Sequence, residues 1–246
     1  MTGIDWFRRC SPPLCTLNVE GLRPPNSPGR EVWLRMAAQW PLKFFGITAF
    51  ITVFFFAYFT LLRFPLFGVT LMPATRLDQL IPYHPSALPI YFSLWFYVSL
   101  APALLRSRVQ LLFHAKVAGL MAIAGLTVFF FWPTAAPTMA GLSEADAAGL
   151  AWLKQVDSAG NACPSLHVAF AVFSGLWLHR TLGEIGLPTV VRVLNLVWGG
   201  AIVYSTLATK QHVVVDVLAG VVLGLIAGLR ETREMTPVLA PVRANP

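Results

Sequence analysis

Charge is what this chain has least of. Only 12% of its 246 residues are Asp, Glu, Lys or Arg, against 56% hydrophobic residues and a mean hydropathy of +0.65. A soluble domain carries roughly a quarter charged residues. The shortfall excludes an ordinary water-facing surface and points to an integral membrane protein. Cysteine is almost as scarce: Cys10, Cys15 and Cys163 are the full set, two of them near the N-terminus. That excludes a disulfide framework. The first 40 residues lack the apolar stretch of a signal peptide. They are polar and proline-rich, and are expected to form a tail that ends in a short interfacial helix, EVWLRMAAQW, broken by Pro41. Runs such as ITVFFFAYF and GLTVFFFWP lack period-2 alternation, which argues against barrel strands. Internal repeats and a second domain are absent too.

What the chain does have is apolar length. A hydrocarbon core of about 30 Å needs roughly 20 apolar residues per helix. Six segments approach that length, near Phe44–Leu62, Ala87–Leu105, Val109–Phe131, Pro164–Leu182, Pro188–Leu207 and His212–Leu229. The expected fold is an all-α bundle of six transmembrane helices over 43–230. A cytoplasmic tail with the interfacial helix (1–42) precedes it, and a cytoplasmic tail (231–246) follows. Between the third and fourth runs, SEADAAGLAWLKQV opens with Ser143 and has Asp146 three residues on, a capping pattern that predicts a short helix on the membrane face.

The net charge of +7 need not mean nucleic acid. With alternating helices and an internal N-terminus, one side receives Arg8, Arg9, Arg23, Arg30, Arg35, Lys43, Arg106, Arg108, Lys116, Arg180, Arg192, Arg230, Arg233 and Arg243. The other receives Arg63, Arg76, Lys154 and Lys210. Basic residues concentrate in cytoplasmic loops, so both termini are expected inside, and orienting the bundle accounts for the charge. No nucleic-acid partner is expected. On this topology His167, at the start of the fourth helix, and His212, at the start of the sixth, meet at the outer face.

His212 and Asp216 are spaced i, i+4, one turn apart on a helix face. A carboxylate there can hold one imidazole nitrogen and leave the other for a substrate. Asp216 sits in VVVDVLAG, where a lone carboxylate would be costly, so a partner is expected. His167 adds a second imidazole from a neighbouring helix, which suits a reaction needing a nucleophile and a general acid or base. Phosphoryl transfer fits. Pro164 is expected at the first helical position, and Ser165 with the free N–H groups of a helix start can cradle phosphate. Lys210 and Ser205 add a cation and a hydroxyl, although Ser205 has the equal alternative of bonding within its own helix.

CPSLH followed by YSTLATKQHVVVDVLAG resembles the second and third signatures of the type 2 phosphatidic acid phosphatase superfamily. Those run Pro-Ser-Gly-His, then Ser-Arg, five residues, His, three residues, Asp. The Pro-Ser-Leu-His form is most similar to the inositol phosphorylceramide synthase branch, and the resemblance covers roughly residues 78 to 228. It implies that His212 forms a phosphohistidine, Asp216 orients it, and His167 protonates the leaving oxygen and then activates the acceptor. Ser165 would bond the phosphate. Thr206 stands where the family has an arginine. In the first signature Gly125 and Trp132 replace lysine and arginine. Lys210 and, second, Arg76 are the expected substitutes.

Simpler roles stand beside these. His84, His114 and His179 are expected at helix ends in the interface, and Phe54–Phe56 facing lipid. The two histidines and the aspartate can also ligate a metal, or the histidines a haem, but both uses leave Ser165 and Lys210 idle. A transporter would show broken helices and midplane charges. The expectation is a cofactor-free enzyme of a bacterial inner membrane with an extracytoplasmic site. It would act on a lipid-linked phosphate with an alcohol acceptor, as an inositolphosphotransferase-like transferase, or with water, as a lipid phosphatase.

Overall fold

The computed structural model describes residues 27–137 and 160–239. The helix expected over 143–156 lies outside them, as do Lys154 and most of the N-terminal tail. The elements run α1 (Pro28–Ala37), α2 (Trp40–Arg63), β1 (Thr70–Leu71), α3 (Arg76–Leu80), a single 3-10 turn (Pro85–Ala87), α4 (Leu88–Phe92), α5 (Leu94–Ala103), α6 (Arg108–Phe131), β2 (Thr134–Ala135), α7 (Leu166–Glu184), α8 (Thr189–Ala208) and α9 (Val214–Leu239). Helix therefore occupies each of the six apolar segments. Among the described residues, four helical stretches, Trp40–Arg63, Pro85–Ala103, Arg108–Phe131 and Thr189–Ala208, are long and apolar enough to cross a membrane.

Local chemistry explains the helix starts. Ser107 Oγ accepts the Gln110 N–H, and Gln110 Oε1 accepts the Ser107 N–H, both at 3.1 Å. This reciprocal capping box opens α6. Thr75 and Asp78 form the same device at α3. Contrary to the sequence expectation, Pro41 does not break the first helix. The break lies at Gln39, whose φ is +56°, and Pro41 sits in the first turn of α2, where a missing N–H costs nothing.

Helix α7 is the centre of the bundle. Its Val168, Ala169, Ala171 and Phe173 are buried, and it packs against α5, α8 and α9. His114 is not interfacial: it is buried, with its ring stacked on Phe173 at 5.0 Å, because α6 turns that side of its helix toward α7.

One end of the bundle is tied by backbone bonds between loops. Strands β1 and β2 pair in parallel, with Thr70 opposite Thr134. Ala162 N–H donates to Thr134 O, and His84 N–H donates to Ala208 O. The opposite end is held by charges: Arg35 Nε meets Glu31 at 2.9 Å and Arg35 Nη1 lies 3.8 Å from Glu184. Lys43 Nζ there donates to the carbonyls of Ala103 and Arg35.

Candidate active site

Both imidazoles line one cavity, of about 450 Å³, at the loop-tied end. Its wall is aromatic, with Phe50, Phe54 and Tyr58 from α2 and Tyr91 and Trp95 from α4 and α5. Its polar lining includes Asn161, His167, Gln211 and His212. No lysine or arginine is among the described lining residues.

His167 lies in the first turn of α7, whose start Ser165 caps by accepting the Val168 N–H at 3.3 Å. Pro164 therefore precedes the cap and does not open the helix, because the Ser165 side chain takes the capping position. The His167 ring stacks on Tyr91 at 4.1 Å, and its Nε2 donates to the Tyr91 carbonyl at 3.1 Å. That bond commits Nε2 as a donor, so in the neutral ring Nδ1 is the acceptor. Ser165 is fully buried, and its N–H donates to the Asp216 carbonyl at 3.1 Å. The two halves of the site are joined there.

His212 sits two residues before α9, not on its face as the i, i+4 spacing suggested. The reason is capping. Asp216 Oδ2 accepts the Val213 N–H at 3.0 Å, so the helix begins after His212 and the carboxylate serves the helix start as well as the imidazole. His212 Nδ1 lies 3.6 Å from Asp216 Oδ2, an ion-pair distance longer than a hydrogen bond. Gln211 N–H and His212 N–H both donate to the Thr206 carbonyl, at 3.1 and 3.2 Å. Gln211 Nε2, His212 Nδ1 and Asp216 Oδ1 are buried without a hydrogen-bond partner. Native structures rarely leave such groups unmatched, and three lie within six residues here.

The remaining expected residues are engaged with the protein. Lys210, with φ +57°, is buried, and its Nζ donates to the carbonyls of Asp78, at 2.8 Å, and Ile81. Burial lowers its pKa, opposed by the charge of Asp78. Ser205 Oγ donates to Ile202 O within its own helix at 2.6 Å. Arg76 is exposed at the first position of α3. None of these three is among the lining residues. Among the described residues, no three His, Cys, Asp or Glu side chains group as a metal-holding set.

Sequence reasoning missed Asp78, Asn161, Gln211 and Tyr91. Thr75-Arg-Leu-Asp78 carried a capping signal that marks Asp78 as ordered. Nothing local marks Asn161, with φ +51° and Nδ2 donating to Tyr58 O at 3.1 Å, or the carbonyl of Tyr91.

No curated protein and no solved structure matches the chain. Residues 81–229, from the Ile81 carbonyl that Lys210 holds to the last apolar turns of α9, match the PAP2 superfamily. The span takes in both histidines, Asp216 and the cavity wall of α4 and α5. The chain belongs to the PAP2 superfamily and is an integral membrane enzyme of the phosphatase or phosphotransferase kind.

Proposed function

We propose that this enzyme moves a phospho-headgroup from a lipid donor to an alcohol, as an inositolphosphotransferase-like transferase. It works through a phosphohistidine on His212 at the extracytoplasmic face of a six-span bundle with both termini cytoplasmic, in a bacterial inner membrane. The observation that carries this reading is the cavity lining: two imidazoles at the polar part of an aromatic cavity, with no lysine or arginine among the described lining residues. A phosphomonoester dianion in a dry site needs cations. A phosphodiester carries one charge and needs fewer.

His212 Nε2 attacks phosphorus while Asp216 holds the Nδ1 side of the ring. The P–O bond to the lipid breaks, and His167, protonated on both nitrogens, gives its Nδ1 proton to the leaving alkoxide. The neutral His167 then takes the proton of the acceptor hydroxyl as that oxygen attacks phosphorus and the P–N bond breaks. The cycle returns both histidines to their starting states. Ser165 fixes the start of α7 beside the phosphate. Lys210 and Ser205 position the backbone around His212, and Arg76 is the exposed cation of the same end.

The second reading, hydrolysis by water, uses the same steps and is favoured only by family membership. Purified enzyme incubated with a panel of phospholipids and alcohols decides between them, with inorganic phosphate and new lipid species followed together and a chelator in a parallel arm. Headgroup exchange supports the transferase; release of inorganic phosphate without exchange removes it. Full turnover by His212→Ala removes both.

A further inference from the structure

Gln211 stands directly before His212, is only 3% exposed, and lines the same cavity as both imidazoles. Its Nε2 has no hydrogen-bond partner. An amide N–H taken out of water without a partner is unfavourable, and the local backbone gives it no freedom to leave. Gln211 N–H is held by Thr206 O, and the preceding Lys210 is pinned to the carbonyl of Asp78. Among the described residues, two amide side chains line the cavity. Asn161 Nδ2 already donates to the Tyr58 carbonyl, whereas Gln211 Nε2 has neither of its two N–H groups engaged.

The described lining holds no lysine or arginine, so what those residues offer negative charge entering the cavity is N–H dipoles and imidazoles. We propose that Gln211 is a substrate-binding residue whose side-chain amide donates a hydrogen bond to a non-bridging oxygen of the phosphodiester that His212 attacks. This rests on the function proposed above and adds a residue to it. Charge builds on the non-bridging oxygens as the His212 nitrogen approaches phosphorus, and a preorganised donor there acts as an oxyanion stabiliser.

The test uses the full chain in detergent, with Gln211→Leu, which keeps the bulk and removes the donor, and Gln211→Glu, which sets a carboxylate against the anion. Gln211→Leu is expected to lower kcat/KM on phosphodiester lipids about 100-fold, the lower end of what losing one such donor costs, with an unchanged or raised melting temperature. Gln211→Glu is expected to fall further. Wild-type turnover by Gln211→Leu, or a loss that tracks a lowered melting temperature, overturns the assignment. Inorganic vanadate binding, followed by calorimetry, separates this from failure of the functional reading. If the wild type turns over no phospholipid, binding to Gln211→Leu at least tenfold weaker than to wild type still sustains the amide as an anion ligand. Equal binding, or none to wild type, overturns it.

Discussion

Asp78 and Val214 stand 136 positions apart in the chain, yet Asp78 Oδ1 accepts the Val214 N–H at 2.8 Å. The other carboxylate oxygen takes both the N–H and the hydroxyl of Thr75, each at 2.7 Å, and the Asp78 carbonyl takes Lys210. Residues 75–81 thus clip the chain on both sides of His212. With Asp216 on Val213 N–H, two carboxylates meet the positive end of α9, where negative charge is favoured.

Asp78→Ala removes that clip. It is expected to destabilise the protein by about 2 kcal/mol, the scale of a lost cap at a charged acceptor, and to lower kcat because the segment carrying His212 is released. Asp78→Asn keeps an acceptor and should lose less of both. Thermal unfolding and turnover in detergent measure the pair, and an Asp78→Ala protein with wild-type melting and turnover contradicts the clip.

Replacing Asp216 with Asn tests the imidazole's partner. In the proposed mechanism the carboxylate fixes ring orientation and favours the charged ring formed during transfer, so kcat should fall about 100-fold or more while KM changes little. His212→Ala and His167→Ala should each abolish turnover with the melting temperature retained. A mutant of either histidine at wild-type rate ends the phosphohistidine mechanism.

Two glycines set the approach of α9 to α7. A Cβ on Gly224 would stand 2.5 Å from Ala169 O, and one on Gly220 would collide with Ser165 O. Both obstacles are backbone and cannot move aside. Gly220→Ala and Gly224→Ala should each destabilise the bundle by about 1–3 kcal/mol, the range for overpacking. Gly220→Ala should also cut activity by parting Ser165 from Asp216. Melting curves and turnover compared for the two variants check the order.

Cys163 should resist alkylation. Burial first, and the charge of Asp216 second, push its thiol up to about 11, so the thiolate is scarce at neutral pH and appears only as pH rises toward that value. In a Cys10→Ser/Cys15→Ser protein at pH 8, maleimide should label Cys163 about 100-fold more slowly than an ordinary thiol near 9. Labelling at the ordinary rate would show an open Cys163.

Much of this protein was legible in one dimension. Apolar runs report on burial residue by residue, and capping pairs act within four positions, so the helices and the start of α6 follow from local rules. The Pro-Ser-Leu-His and Lys-Gln-His stretches pointed to the two imidazoles that line one cavity. Other features depended on contacts between distant segments. His212 leaves the helix because Asp216 takes the Val213 N–H and Asp78 the Val214 N–H, and Asp78 arrives from 136 positions away. His114 is buried because α6 faces α7, and Lys210 is held by carbonyls of a loop that composition does not place beside it. A sequence shows which groups are costly to leave unpaired; the folded chain settles which partner each one finds, since that depends on distances between segments that share no local period.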